Sequence, residues 1–237
     1  MPQYNLHAMA QLSGTLQLHD DATVGLLLSG GLDSAILLGH LLRQGCRVQP
    51  LYVDCRLVWQ EAELLSARRF AAAVATANLL PMKVFTMPLA DLYEDHWSIT
   101  GRDVPDATSP DQAVFLPGRN VLLVVKPALW CRYNGIGQLA LAVLKSNPFA
   151  DATEEFFAQL EILLTNATGR AIRIVLPFRQ MHKREVMVLG GDLPLELTFS
   201  CIAPTPDGRH CGRCNKCAER RAAFQQAGLE DRTHYAA

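Results

Sequence analysis

The chain has 237 residues, 49% of them hydrophobic and 19% charged, with a formal net charge of -1 and a pI near 6.6, so it can bury one sizeable core, or one core with a small appendage. The near-zero charge gives no general pull towards phosphate backbones, which excludes bulk electrostatic binding of nucleic acid and favours a small-molecule substrate. Met1 to Asp21 lacks a basic start followed by an apolar stretch, and no run of about 18 apolar residues occurs, so the chain reads as soluble and cytosolic, with no membrane partner.

Val24 to Leu28 is a continuous apolar run that reads as a buried strand. Ser29-Gly30-Gly31-Leu32-Asp33-Ser34 follows it and leads into the apolar Ala35 to Leu42, so a strand turns through paired glycines into a helix. Such a turn suits a phosphate. Glycines let an anion approach the main chain, while the free N–H groups and the dipole of the new helix face it. A Walker A loop is excluded, because that pattern needs Gly-Lys followed by Ser or Thr and no lysine lies near Gly31. The plain alternative is a tight turn in which Asp33 or Ser34 merely caps the helix.

Val48 to Val53 reads as a second buried strand with Asp54 at its carboxyl end, Gln60 to Thr76 as a second helix, and Met82 to Thr86 as a third strand. This alternation predicts an α/β fold with a doubly wound parallel sheet, whose ligands sit beyond the carboxyl ends of the strands. Ser29 to Ser34 and Asp54 would then share one rim. Leu89 to Phe115 has little apolar periodicity and is expected to be a long loop or lid over that rim. After Leu116-Pro117-Gly118-Arg119-Asn120, the expected elements are a helix over Val121 to Tyr133, a strand over Gln138 to Leu144 and an amphipathic helix over Thr153 to Leu164. A strand over Ile172 to Leu176 and a helix from Lys183 to Leu189 complete them.

Seven cysteines form two groups. Cys46, Cys55 and Cys131 are scattered among apolar neighbours and read as buried thiols, and the odd total argues against a disulfide framework. Cys201, Cys211, Cys214 and Cys217 supply four thiolates, the number on which a tetrahedral zinc closes. An iron–sulfur cluster also accepts four thiolates, and a redox dithiol needs only two. With all four positions filled by sulfur, the metal would fold the C-terminal end and do no chemistry. His210 is a spare candidate ligand, expected to be exposed. Lys216, Arg220 and Arg221 on the following helix, Lys216 to Gln226, could form a nucleic-acid patch. Without interleaved aromatics they read instead as a solvated helix face. The change of character near Cys201 divides the chain into residues 1–198, an α/β domain, and 199–237, a zinc-binding region packed on it.

The hexapeptide SGGLDS resembles the PP-loop of the ATP pyrophosphatases, which split ATP between its α and β phosphates. Together with the C-x9-C-x2-C-x2-C knot, FLPGRN at Phe115 to Asn120, Pro177 to Leu189 with Lys183, and LTFSC at Leu197 to Cys201, it is similar to the QueC-type 7-cyano-7-deazaguanine synthase family. The matches run in order from residue 24 to about 228. This resemblance implies a ligase that uses ATP with Mg²⁺ and carries Zn²⁺. It adenylates the carboxylate of 7-carboxy-7-deazaguanine, and an ammonia donor then displaces AMP to give the amide. A second ATP carries the amide to the nitrile.

The resemblance further implies that Ser29, Gly30, Gly31, Leu32 and Ser34 hold the pyrophosphate leaving group and that Asp33 orients the loop or binds Mg²⁺. Arg119 and Lys183 would neutralise phosphate charge, Asp54 would contribute to the nucleotide rim, and Asn120 would order the turn. Two stretches depart from the family pattern. Cys55 to Trp59 replaces its aromatic-Gly-Gln-Arg-His segment, and Ser146 to Thr153 keeps an aromatic, Phe149, and Asp151 but loses a Cys and an Arg. Arg56, Phe149 and Asp151 are therefore the candidate substrate residues of an altered acceptor half. That leaves open a different carboxylate, or another amine on a small molecule or a protein partner, for instance in a defence pathway. The family often forms homodimers. A reading of another class, a zinc-knotted nucleic-acid-binding module with a vestigial loop, is countered by the joint presence of Ser29, Asp33, Ser34, Arg119 and Lys183.

Overall fold

The computed structural model describes residues 23–236; the leader-free reading of Met1 to Asp21 lies outside them. Five short segments form one parallel sheet: β1 (Val24–Leu27), β2 (Val48–Asp54), β3 (Lys83–Thr86), β4 (Gln138–Ala140) and β5 (Arg173–Val175), in the order β3-β2-β1-β4-β5. Val24 is in register with Val48 on one side and Gln138 on the other. The chain runs outward from β1 to β3 and then crosses back to β4, which makes the β1/β4 boundary the topological switch point where α/β folds bind ligands.

The helices are α1 (Leu32–Arg43), α2 (Gln60–Ala73), the single turns α3 (Ala90–Tyr93) and α4 (Trp97–Thr100), α5 (Arg119–Tyr133), α6 (Glu154–Thr168), α7 (Lys183–Leu189) and α8 (Asn215–Ala227). Side chains alternate across each strand and build two apolar layers. Val24, Leu26 and Tyr52 pack with Ile36 and Leu37 of α1, Val186 and Met187 of α7, and Phe224 of α8. Leu51 and Val53 pack with Val124 and Ala128 of α5, Phe157 and Leu160 of α6, and the four cysteines 201, 211, 214 and 217. Both faces are covered at the centre of the sheet, so β1 and β2 are almost wholly buried, while the edge strands β3 and β5 carry the exposed Lys83, Thr86 and Arg173. The expected doubly wound architecture is therefore present. No described helix is long and apolar enough to cross a membrane.

Two expectations change. Gln138 to Leu144 pairs as a strand only to Ala140, after which the extended chain keeps single bonds, Leu141 N–H to the Val175 carbonyl and Lys145 N–H to that of Met181. Leu89 to Phe115 is not structureless: it holds α3, α4 and a 3-10 turn over Asp111–Val114. Trp97 stacks on Trp59 with ring centroids 5.7 Å apart, and Tyr93 Oη donates to the Pro117 carbonyl at 3.0 Å. The far end pairs with the cysteine region, Ala107 N–H bonding the Arg213 carbonyl and Asn215 N–H that of Pro105. Single turns are too short to show a helical period, so aromatic anchors at Tyr93, His96 and Trp97 were the available signal.

Candidate functional site

The loop 29–34 leaves β1 and enters α1 through Gly31, which occupies the cap position with extended backbone and without any side-chain cap bond. Asp33 and Ser34 are therefore not caps. Ser34 Oγ instead bonds Ser29 Oγ at 3.0 Å and reaches the Gly31 carbonyl at 3.3 Å, while Gly31 N–H lies 3.4 Å from Ser29 Oγ. The first-turn N–H groups of α1 consequently keep their capacity for an anion. Gly30 has φ +81°, and a Cβ there would lie 2.7 Å from the Glu63 carbonyl of α2. Only glycine lets the loop press against that helix. From the other side, Phe199 N–H bonds the Gly30 carbonyl at 2.8 Å, which ties the loop to the segment leading into Cys201.

Lys183 is the first residue of α7, whose entry is fixed by His182 N–H donating to Glu185 at 2.7 Å. Its ammonium bonds both oxygens of Asp33, at 2.8 and 2.9 Å, across a separation of 150 residues. Lys183 is thus no solvated surface lysine. The two predicted charges meet at the mouth of the loop, their side chains 19% and 27% exposed.

Arg119 opens α5 elsewhere on the rim. Its guanidinium lies over the Trp59 ring, 5.8 Å from the centroid, and its Nε is buried without a hydrogen-bond partner among the described residues. Beside it lies a buried carboxyl that sequence reasoning missed. Glu63 of α2 accepts a bond from Tyr52 Oη at 2.7 Å. Burial pushes its pKa up from 4.5 to about 7, although Arg119, Tyr52 and Gln60 all pull it down. Gln60 completes the turn after β2, its side chain bonding Cys55 N–H at 2.6 Å, Leu57 N–H at 3.1 Å and the Val53 carbonyl at 2.9 Å. The signal was present: Glu63 shares a helix face with Ala67 and Phe70, where an acid stands out.

Asp54 ends β2 and turns back on its own loop. Its Oδ1 accepts Arg56 N–H at 3.0 Å, and its Oδ2 pairs with Arg56 Nε at 3.1 Å, holding Arg56 at φ +60°. Asp151 is joined to Asn120: its Oδ2 accepts Asn120 N–H at 3.2 Å and its carbonyl accepts Asn120 Nδ2 at 2.9 Å. Asn120 and Asp151 thereby clamp the start of α5 to the turn before α6. Phe149 stacks on Phe115 with centroids 4.9 Å apart. It also lines a cavity of about 420 Å³ that includes Asp33 and Lys183.

The four predicted thiols converge. The sulfurs of Cys201, Cys211, Cys214 and Cys217 all lie within 4.8 Å of one another and are buried. The Cys201–Cys214 and Cys211–Cys217 separations are 3.8 and 4.0 Å. A tetrahedral zinc with bonds near 2.3 Å sets its sulfurs about 3.8 Å apart, so the donor set fits this ion. Ala203 and Cys211 N–H groups approach Cys201 Sγ at 3.3 Å, as a thiolate requires.

Two neighbours correct the sequence expectations. His210 is not exposed: it is buried against Phe199 and Tyr235, accepts Ser200 N–H at 3.1 Å, and is no member of the sulfur cluster. Burial and the Arg220 charge hold its pKa down to about 3. Nor is Arg220 on a solvated face; it is 1% exposed and bonds Thr233, Thr198, Ser200 and the Leu195 carbonyl. The helix face buries it because its donors are met one by one.

The model of the family described as queuosine biosynthesis protein QueC matches residues 23–228. A 7-cyano-7-deazaguanine synthase from Solidesulfovibrio magneticus is 31% identical over 226 residues, covering 88% of this chain and 94% of that protein. One from Novosphingobium aromaticivorans is 33% identical over 224 residues, covering 88% and 92%. Among solved structures, a 4-thiouridine synthetase in complex with RNA and bound ATP aligns over 87% of this chain and 50% of its own, at 16% identity and a TM-score of 0.47. The sheet, the glycine loop, the converging cysteines and a match spanning nearly all the described residues lead to one conclusion: this chain belongs to the QueC family.

Proposed function

We propose that the chain uses ATP to activate the carboxylate of 7-carboxy-7-deazaguanine and converts it, by way of the amide, to the nitrile 7-cyano-7-deazaguanine. The observation that carries this reading is the uncapped entry of α1 set beside the Asp33–Lys183 pair. A carboxylate oxygen attacks the α phosphorus of ATP and pyrophosphate leaves. Ammonia then attacks the acyl carbon, AMP leaves and a proton is lost. In the second round the amide oxygen attacks the α phosphorus of another ATP, pyrophosphate leaves, and departure of AMP, with loss of the remaining nitrogen protons, leaves the nitrile.

The work asked of the protein is positional and electrostatic, because a carboxylate and a triphosphate repel each other. Ser29, Gly30, Gly31, Leu32 and Ser34 present N–H and hydroxyl groups to the leaving pyrophosphate. Lys183 and the guanidinium of Arg119 are the cations that meet developing phosphate charge. Asp54 shapes the nucleotide rim, and Asn120 holds α5 so that Arg119 points into it. A bound Mg²⁺ would supply neutralisation of the phosphate charge and would need a carboxylate to hold it. Asp33 would hold Mg²⁺ there, and Lys183, bonded to it, would stand beside the phosphates. Zn²⁺ at the four cysteines is structural, since no ligand position is left for water.

Incubation with ATP, Mg²⁺, ammonia and 7-carboxy-7-deazaguanine is expected to yield AMP and pyrophosphate in step with loss of the carboxylate. Production of ADP and phosphate, or ATP cleavage indifferent to the carboxylate, contradicts the proposal. A nucleic-acid-binding role is disfavoured because burial removes Arg220 from the surface patch.

A further inference from the structure

The cavity of about 420 Å³ next to the loop has an unexpected wall. One side is the proposed activation chemistry, Asp33 and Lys183, and another is the 146–149 segment with Phe149. A further part of the lining comes from α8, the helix that grows out of the cysteine cluster and packs beside α7, and carries Lys216 and Glu219. These two form an ion pair three residues apart, with side chains 29% and 43% exposed, so both can be reached from the cavity. Cys214 and Cys217 bracket Lys216 and are buried in the core, so the start of α8 is rigid where it meets the cavity.

We propose that Lys216 and Glu219 read the pyrimidine edge of the acceptor base, and that this is the specificity-determining contact of the reaction; it rests on the reading of the acceptor as a 7-deazaguanine. An ammonium beside a carboxylate presents a donor followed by two acceptors. The edge of a guanine-type ring presents the complement: a carbonyl oxygen, a ring N–H and an exocyclic amine. Lys216 Nζ donates to the carbonyl, and the two Glu219 oxygens accept the ring N–H and the amine in the paired geometry that makes carboxylate contacts strong. Phe149 offers an apolar ring for the flat base. With this edge held at α8, the carboxylate on the opposite side of the ring system points towards Lys183 and the loop. The cysteine knot then has a second consequence, since it fixes the base-reading side chains as well as the fold.

Calorimetry on the full chain with 7-carboxy-7-deazaguanine and with its 2-desamino counterpart tests this directly. Wild-type protein is expected to prefer the amine-bearing ligand by at least about 10-fold, because a site built for a donor leaves its acceptors unpaired without it. Glu219→Gln should bind the amine-bearing ligand about 10-fold more weakly and lose the preference, with ATP affinity within about twofold of wild type. Lys216→Met should weaken both ligands alike and keep the preference. A Glu219→Gln protein that still prefers the amine-bearing ligand overturns the inference and leaves the adenylation reading intact. A wild-type protein that binds neither ligand overturns that reading, and this inference with it.

Discussion

Glu63 holds its carboxyl under Tyr52 Oη and against the backbone contact that seats Gly30, so its protonation is tied to the site and to the fold. Burial raises its pKa from 4.5 to about 7, and the Arg119 charge and the hydrogen bonds with Tyr52 and Gln60 only partly offset this. Below pH 4.5 both folded and unfolded chains carry the proton and nothing is lost. Between 4.5 and about 7 the unfolded chain releases it first, so the stability due to this group falls as pH rises, and above about 7 the loss is constant. Glu63→Gln keeps an acceptor for Tyr52 and removes the titration. Its stability relative to wild type should rise across that window and level off on the order of 1–3 kcal/mol more favourable. Chemical denaturation of both proteins across pH gives the difference curve. A flat curve would mean that Glu63 titrates as an ordinary surface acid.

The loop between β1 and α1 works because it is braced from two elements. Gly30 meets the α2 backbone at Glu63 and bonds Phe199 from the C-terminal side, leaving only the α1 entry open to a ligand. Gly30→Ala adds a Cβ at φ +81° and 2.7 Å from a carbonyl oxygen that cannot swing aside. Gly45→Ala is the control, with φ +78° and nothing within 4 Å of its Cβ. The control should cost about 1 kcal/mol of left-handed strain. Gly30→Ala should cost at least about 2–3 kcal/mol and weaken ATP binding more than tenfold, since the loop must move. Equal losses at the two positions would show that the brace is unimportant. Much of this region was legible beforehand: an apolar run, two glycines and an apolar helix define a strand, a cradle and α1, and the spacing of four cysteines defines their convergence. The side-chain pairings were not. Asp33 and Lys183 are adjacent only because α1 and α7 pack together, and Arg220 is buried only because Thr198, Ser200 and Thr233, distant in sequence, collect its donors.

At the scale of the molecule, the question is whether residues 199–237 fold as an appendage or with the rest. The four cysteines belong to the same apolar layer as Leu51, Val53, Val124 and Phe157, which is the core under the sheet. Arg220 bonds the Leu195 carbonyl and Thr198, and Phe199 bonds Gly30, so the boundary near 198 is crossed by buried contacts. We propose that it marks a change of chemistry within one cooperative unit. Metal binding at such a site adds its free energy to folding. Losing even about 4 kcal/mol, well under the roughly 10–16 kcal/mol measured for zinc in small peptides, lowers the Tm of a chain this size by roughly 8–16 °C. Chelation, or Cys214→Ser, should therefore remove stoichiometric zinc and shift one sharp transition downward, with loss of ATP binding in parallel because the Phe199–Gly30 tie loosens. Two separate transitions after chelation, with the first leaving ATP binding intact, would instead make the knot an independent appendage. Stoichiometric zinc retained in Cys214→Ser with an unchanged Tm would remove the cysteines from the structural account.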